Sequence, residues 1–241
     1  MKQVPGGKNI CGVSIGVLAL ESYFPKPPGH IKNPSSLPFT ACYEILRGIS
    51  VPDLLYHPTP AMENTILEAA RSLEMQGVKA ITGSCGFLAL YQSVLVNAVQ
   101  IPVFTSSLIQ VPLAYQMTGQ KVGVITADAT VLNSHYLKAV SADHVPVAIA
   151  GLQDSEEFAS VILHNERNNM DLELVLEELL TVVRELLENN PDIGALVLEC
   201  TDLPPYAHRL QAEFGLPIFD LTTLACMAND VVQRQLYKGF T

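Results

Sequence analysis

The chain has 241 residues, 49% of them apolar and only 16% charged, with 24 acidic against 14 basic side chains and a formal charge of −10. That composition excludes a disordered chain, and the acidity, with no Lys/Arg cluster against it, argues against nucleic acid and anionic membrane surfaces as partners. The five cysteines are odd in number, widely spaced and never arranged as Cys-x-x-Cys beside a His pair. They indicate neither a disulfide framework nor a zinc site, and reduced thiols fit a cytoplasmic location.

In chain order, residues 10–20 follow Lys2 and Lys8 and loosely resemble a signal peptide, but two glycines interrupt the run and no clear cleavage site follows. Residues 12–20 therefore read as a buried first strand. No segment approaches the roughly 20 apolar residues of a membrane span. The long connection from Glu21 to Pro38 holds five prolines and a glycine, which exclude regular secondary structure. Leaving the carboxyl end of a strand, it is expected to overhang a cleft, with Glu21, Tyr23 and Lys26 as candidate substrate contacts.

Thr59-Pro60 marks a helix start, Met62, Ile66, Leu67, Ala70 and Leu73 give its apolar face, and Gly77 ends it. A strand then runs to Cys85, a helix is expected over 87–99, and Ile101-Pro-Val-Phe104 is a second short strand. Residues 121–126 and 145–149 are further apolar strands. After the first of these, Thr126-Ala-Asp-Ala-Thr130 offers hydroxyls and amides that could accept a carboxylate. A helix over 171–188, with Leu172, Val175, Leu176, Leu179, Val183 and Leu186 at helical spacing, leads into a strand ending at Cys200. A helix over 205–214, the strand Leu216-Pro-Ile-Phe219 and a terminal helix over 221–236 complete the order.

These segments contain a repeat. Cys85 and Cys200 lie 115 residues apart, and the same offset aligns Ala80 with Ala195, Pro102 with Pro217 and Phe104 with Phe219. An ungapped coincidence of Cys, Pro and Phe indicates duplication. The alternation of strands and helices, with apolar rather than alternating strands, specifies parallel sheets covered on both faces. The expected fold is α/β, with two similar domains at 1–115 and 116–220 related by a pseudo-twofold axis, the active site between them, and the terminal segment 221–241 packing back on the first.

Both cysteines stand at carboxyl ends of strands, where ligands bind open parallel sheets and helix N-termini point amides into the crevice. Two thiols reaching one ligand from opposite sides suit proton transfer at carbon, one sulfur as base and the other as acid. The backbone amides of Gly86, Phe87, Thr201 and Asp202 are candidates to hold the developing carboxylate-enolate. Ser84, Thr126 and Glu21 complete the expected substrate-binding set. Glu199 and Asp202 flank the second cysteine and could tune it or serve as solvated helix-start charges. Cys11, Cys42 and Cys226 lack this symmetry, and none of the six histidines is assigned a role.

Thr82-Gly-Ser-Cys-Gly86 and Leu198-Glu-Cys-Thr-Asp-Leu-Pro-Pro-Tyr206 resemble the two signature segments of the aspartate/glutamate racemase superfamily, which includes glutamate, aspartate and hydantoin racemases, maleate isomerase and arylmalonate decarboxylase. The resemblance implies Cys85 and Cys200 as an acid/base pair needing neither pyridoxal phosphate nor metal, a small carboxylate substrate and a homo-oligomer, dimeric or larger. Two departures qualify it. The amino-acid racemases of the family carry Cys-Asn-Thr at the first motif, where this chain has Cys85-Gly86-Phe87. Glutamate racemases carry Cys-Thr-His at the second, where this chain has Cys200-Thr201-Asp202, and a carboxylate there raises a neighbouring thiol's pKa. The Gly-Phe pair resembles more loosely the dimethylsulfoniopropionate lyases. The leading expectation is thus a cofactor-independent racemase or isomerase acting alpha to a carboxylate; the alternatives are a lyase on the same scaffold and a non-catalytic small-molecule binding protein.

Overall fold

The computed structural model describes residues 6–239. The first five residues of the expected first domain and the last two of the terminal segment lie outside them. Strands β1 (Ile15–Leu20), β2 (Ala41–Leu46), β3 (Ala80–Gly83) and β4 (Val103–Phe104) form one sheet in the order β2-β1-β3-β4. Strands β5 (Lys121–Thr126), β6 (Val147–Gly151), β7 (Ile193–Leu198) and β8 (Ile218–Phe219) form another in the order β6-β5-β7-β8. All pairings are parallel. The fold is the expected one, two similar α/β halves with flanking helices.

The sheets also define the repeat more closely. Ile15 pairs with Ala80 in the first half and Val122 with Ala195 in the second, so the opening strands are offset by 107 residues (122 − 15) and the cysteine strands by 115 (195 − 80). The eight-residue difference lies between these strands, which is why the repeat is ungapped only from β3 onward. Strand β2 was not expected from the sequence. Its residues, Ala-Cys-Tyr-Glu-Ile-Leu, sit at a sheet edge and are mostly half-buried, so the continuous apolar run that marks the inner strands is missing.

Each half places a helix before its cysteine strand: α2 (Pro60–Gln76), following the short α1 (Val51–Tyr56), and α7 (Leu172–Asn189). Pro60 opens α2 without a side-chain cap from Thr59, whereas Asp171 caps α7 through the amides of Glu173 and Leu174. After each cysteine comes a 3₁₀ turn and then a helix. Gly86–Tyr91 leads into α3 (Gln92–Ala98), and Pro204–Tyr206 leads into α8 (Ala207–Phe214). Helix α4 (Val111–Thr118) crosses to the second half, where α5 (Ser134–Ala139) and α6 (Glu156–Phe158) follow. Helix α6 continues as a π turn over Ala159–Leu163.

The faces of β1 show how the layers are built. Leu18 and Leu20 enter the large core shared by both halves, while Ile15 and Val17 point to the opposite face with Ala80 and Phe104. That second face is closed by the terminal helix α9 (Leu221–Val232) through Leu221, Leu224 and Ala225. Asp220 and Thr223 start α9 with a reciprocal capping box. Among the described residues no helix is long and apolar enough to cross a membrane.

Candidate active site

Cys85 and Cys200 each lie two residues beyond the end of their strand, β3 and β7, and line one cavity between the halves. Both are nearly inaccessible, at 8% and 5% exposure. Equivalent strands, ending at equivalent places and facing one another, bring together residues far apart in sequence. Two hydroxyls lace the halves at this level: Thr201 Oγ1 donates to Ser84 O at 2.6 Å, and Ser107 Oγ to Leu198 O at 2.6 Å.

The local turns aim amides at the sulfurs. The amide of Phe87 faces Cys85 and that of Asp202 faces Cys200, each two residues after its thiol, and each favours thiolate. These two amides were expected to bind the substrate carboxylate; the turn geometry directs them to sulfur. Burial nevertheless dominates and pushes both thiols well above the usual cysteine range.

The two sulfurs are not equivalent. After burial, Glu199 is the main group raising Cys85, while Lys32 opposes it. For Cys200 the main group is Asp202, whose Oδ2 accepts from its sulfur at 3.5 Å. Asp202 Oδ1 also pairs with His30 Nε2 at 2.8 Å. Because His30 Nδ1 accepts the Lys32 amide at 2.8 Å, the ring proton is on Nε2 and donates to Asp202. Burial opposes ionisation of Asp202, but the His30 bond, with Lys32 and Lys26 nearby, outweighs it and holds the carboxyl below its ordinary value. Asp202 is therefore an anion fixed beside Cys200.

Glu199 behaves differently. It is fully buried, and burial, reinforced by Asp202, raises its pKa to about 8 against the opposing Thr126 hydrogen bond. Near neutrality it is a neutral carboxylic acid, which removes from Cys85 its principal carboxylate neighbour. The reading of Glu199 as a solvated helix-start charge does not hold. The side chain sits on the α-carbon of Gly86, where a Cβ would collide with Glu199 Oε1 and O.

Four lining residues come from the proline-rich strap after β1: Ser22, Phe24, His30 and Lys32. Lys32 Nζ donates to Leu20 O at 2.7 Å and to Ser22 Oγ at 2.6 Å, and its remaining proton is available to a ligand. The strap is pinned across the second half. Thr222 Oγ1 donates to Gly29 O at 2.9 Å, and Gly29, at φ +108°, approaches Pro205 so closely that a Cβ would lie 2.6 Å from its Cα. Free volume in the cavity is about 10 Å³, room for roughly one water, so a carboxylate substrate enters only if the strap or the halves move.

Of the residues expected from the sequence, Cys85, Cys200, Ser84, Gly86, Phe87, Thr201 and Asp202 all line the cavity. Glu21 does not; it accepts from the Gly48 amide and from Tyr23 Oη, on the outside of the strap. Thr126 stands behind the wall, where its hydroxyl donates to Glu199 at 2.7 Å. Lys26 folds onto the Phe24 ring, 3.9 Å from its centroid, and does not line the cavity. His30 and Lys32 were not expected, because scattered single residues in a connecting segment give no periodic or motif signal.

The remaining wall is apolar: Leu20, Phe24, Val51, Leu55, Phe87, Ala127 and Ile162. Phe87 is fixed by an edge-on contact with Tyr136 of the other half, centroids 5.2 Å apart.

Residues 110–228 match the family model for Asp/Glu/hydantoin racemases. The chain superposes over 91% of its length on 79% of the glutamate racemase of Francisella tularensis, solved with D-glutamate, at a TM-score of 0.57 and 21% identity. It superposes over 90% of its length on 93% of the Picrophilus torridus aspartate racemase, at a TM-score of 0.60 and 14% identity. Residues 110–228 thus carry the Asp/Glu/hydantoin racemase pattern, and the fold of the chain is that of these racemases. Among curated relatives, a dimethylsulfoniopropionate lyase of Durusdinium sp. clade D is 29% identical over 230 residues, 91% of this chain and 75% of the relative. Dimethylsulfoniopropionate lyase 6 of Emiliania huxleyi is 28% identical over 87% of this chain, which spans only 57% of that relative.

Proposed function

We propose that this chain is a β-eliminating lyase acting on a small carboxylate with a sulfonium group on the β carbon, of which dimethylsulfoniopropionate is the type. The observation that carries the reading is the apolar part of the cavity wall that the thiols share, in which Phe87 stands where, by the motif resemblance, amino-acid racemases carry a polar contact. An ammonium group against that wall would leave N–H donors without partners, a cost of several kcal/mol. A dimethylsulfonium has no N–H to satisfy, and its methyl groups and positive charge suit apolar and aromatic faces. The lyase relatives point the same way.

In this reading Lys32 holds the substrate carboxylate and the sulfonium lies against Phe87. Cys85 thiolate removes a proton from the carbon alpha to the carboxylate, forming S–H. The C–H electron pair becomes the new C=C bond, and the C–S bond breaks with both electrons going to sulfur. An alkenoate and a neutral sulfide leave, with the proton on Cys85. The leaving sulfide needs no acid, so elimination requires a single base, in accord with the unequal environments of the two thiols. The incoming sulfonium also supplies the positive charge that a buried thiolate lacks in the empty site.

Racemisation is the second reading, favoured by one observation: two thiols at equivalent strand ends line one cavity. The deciding experiment incubates the protein in deuterated water with dimethylsulfoniopropionate and, separately, with a panel of amino acids, dicarboxylates and hydantoins, followed by proton NMR. Acrylate and dimethyl sulfide released by the protein and lost in Cys85→Ser is the expected result. Deuterium entering the α-carbon of an intact amino acid, without alkene, would replace the lyase reading with the racemase one.

A further inference from the structure

Glu199 is the most buried ionisable group of the site, and the elimination described above leaves it idle. Its two oxygens are unlike. Oε2 accepts the Thr126 hydroxyl at 2.7 Å, while Oε1 is buried with no hydrogen-bond partner among the described residues. Thr126 Oγ1 makes no other side-chain bond, so its proton is committed to Oε2. A proton carried by the carboxyl group therefore resides on Oε1. That oxygen lies over the α-carbon of Gly86, one residue beyond Cys85, and Glu199 lines the cavity that Cys85 and Lys32 also line. A buried donor without a partner, beside the base and in the cavity the lysine also lines, is completed by an acceptor that arrives with the substrate.

We propose that Glu199 is a catalytic residue: it stays protonated and donates from Oε1 to a carboxylate oxygen of the substrate, with a bond that strengthens as the α-proton leaves and enolate charge builds on that oxygen. The inference rests on the carbon-acid reading of the site but not on the fate of the carbanion, since elimination and racemisation share this step. Chemically, a neutral acid is a better partner here than an anion. It supplies a donor without repelling the substrate carboxylate or the thiolate, and in a water-excluded site such a donor aimed at developing charge contributes about 10²–10³ in rate. Gly86 is part of the device, because any side chain there would displace Oε1.

The pH dependence follows in sign. The active form has Glu199 protonated and Cys85 ionised, so the rate rises as Cys85 ionises and falls as Glu199 loses its proton. Other titratable or charged groups around it are Cys200, Asp202, His30 and Lys32 in the cavity and Tyr136 behind Phe87, whose phenol burial raises to about 12. None of these has the side-chain bond to Thr126 that places the proton on Oε1.

The test compares Glu199→Gln with Glu199→Leu in the whole protein. Glutamine keeps an acceptor for Thr126 and puts an amide donor at the Oε1 position; leucine keeps the bulk and removes both. With dimethylsulfoniopropionate as substrate, Glu199→Gln is expected to keep kcat/KM within about tenfold and to lose the alkaline fall in rate, while Glu199→Leu loses about 100- to 1000-fold. An alkaline fall unchanged in Glu199→Gln, or Glu199→Leu within threefold of wild type, overturns the proposal. A readout without turnover separates it from the lyase reading. The infrared band of a protonated carboxyl group should be present at pH 6.5, disappear as the pH is raised to 10, and be missing from Glu199→Gln at both values, and acrylate should bind at least tenfold more weakly to Glu199→Leu. If wild type releases no alkene but both of these results are obtained, the donor stands and the lyase reading falls. If the band is missing from wild type at pH 6.5, or acrylate binds equally to the leucine variant, the donor falls whatever the enzyme's reaction.

Discussion

Replacing Asp202 by Asn tests the inequality of the two thiols. The Asp202 carboxylate lies 3.5 Å from Cys200 Sγ through Oδ2, and Oδ1 is held by His30. Two unit charges at that distance repel by about 5 kcal/mol at an effective dielectric of about 20, an upper bound equivalent to roughly 3 pKa units at about 1.4 kcal/mol each. Asn keeps an acceptor for His30 Nε2–H and turns its amide N–H toward the sulfur, so the fold is retained while a repulsion becomes a donor. In a Cys85→Ser background, the thiolate absorbance of Cys200 followed against pH should move down by about 1–3 units on Asp202→Asn. A displacement under half a unit would refute the argument, because it would mean that burial, and not the fixed anion, separates Cys200 from Cys85.

Three further outcomes are expected. Lys32→Met removes a charge-assisted bond to the substrate carboxylate worth about 1.5–3 kcal/mol, so KM for dimethylsulfoniopropionate should rise about 10- to 100-fold; an unchanged KM would place the carboxylate elsewhere. Gly86→Ala forces a Cβ onto Glu199 Oε1 and O, an overpacking of about 1–3 kcal/mol that should lower Tm by several degrees. Adding Glu199→Ala should restore only part of that loss, since the backbone oxygen remains; complete recovery would contradict the geometry. Finally, the raised Glu199 pKa, about 8 against an ordinary 4.5, makes the folded state hold a proton that the unfolded chain releases. Stability should then fall as pH rises from about 4.5 to 8, by at most about 1.4 kcal/mol per unit, and denaturant titrations of Glu199→Gln should show a shallower fall over that window. Equal slopes would mean that Glu199 is ionised in the folded protein.

The sequence by itself determined the backbone of this account. The 115-residue offset joining Cys85 to Cys200 and Pro102 to Pro217 required one architecture used twice, because strands buried on both faces leave continuous apolar runs that can be aligned by eye. Placing the two cysteines at strand ends followed from the same runs, and so did the cleft between the halves. Motif resemblance added the superfamily and, through Gly86-Phe87, the hint of a lyase. The edge strand β2 was hidden because a half-buried strand carries no such run.

Tertiary structure decided what the site is made of. His30 and Lys32 come from a strap whose prolines announce rigidity but not where it is pinned, and only the fold puts His30 against Asp202, 172 residues away. The same holds for Glu199. In sequence it is one of 24 acidic residues; in the fold it is packed between Thr126 and Gly86, shielded from bulk solvent, so that its charge is poorly stabilised. Periodicity and spacing report which residues share a face of one element. Desolvation and hydrogen bonding depend on which elements close over a side chain, and that closure is set by packing between segments far apart in the chain.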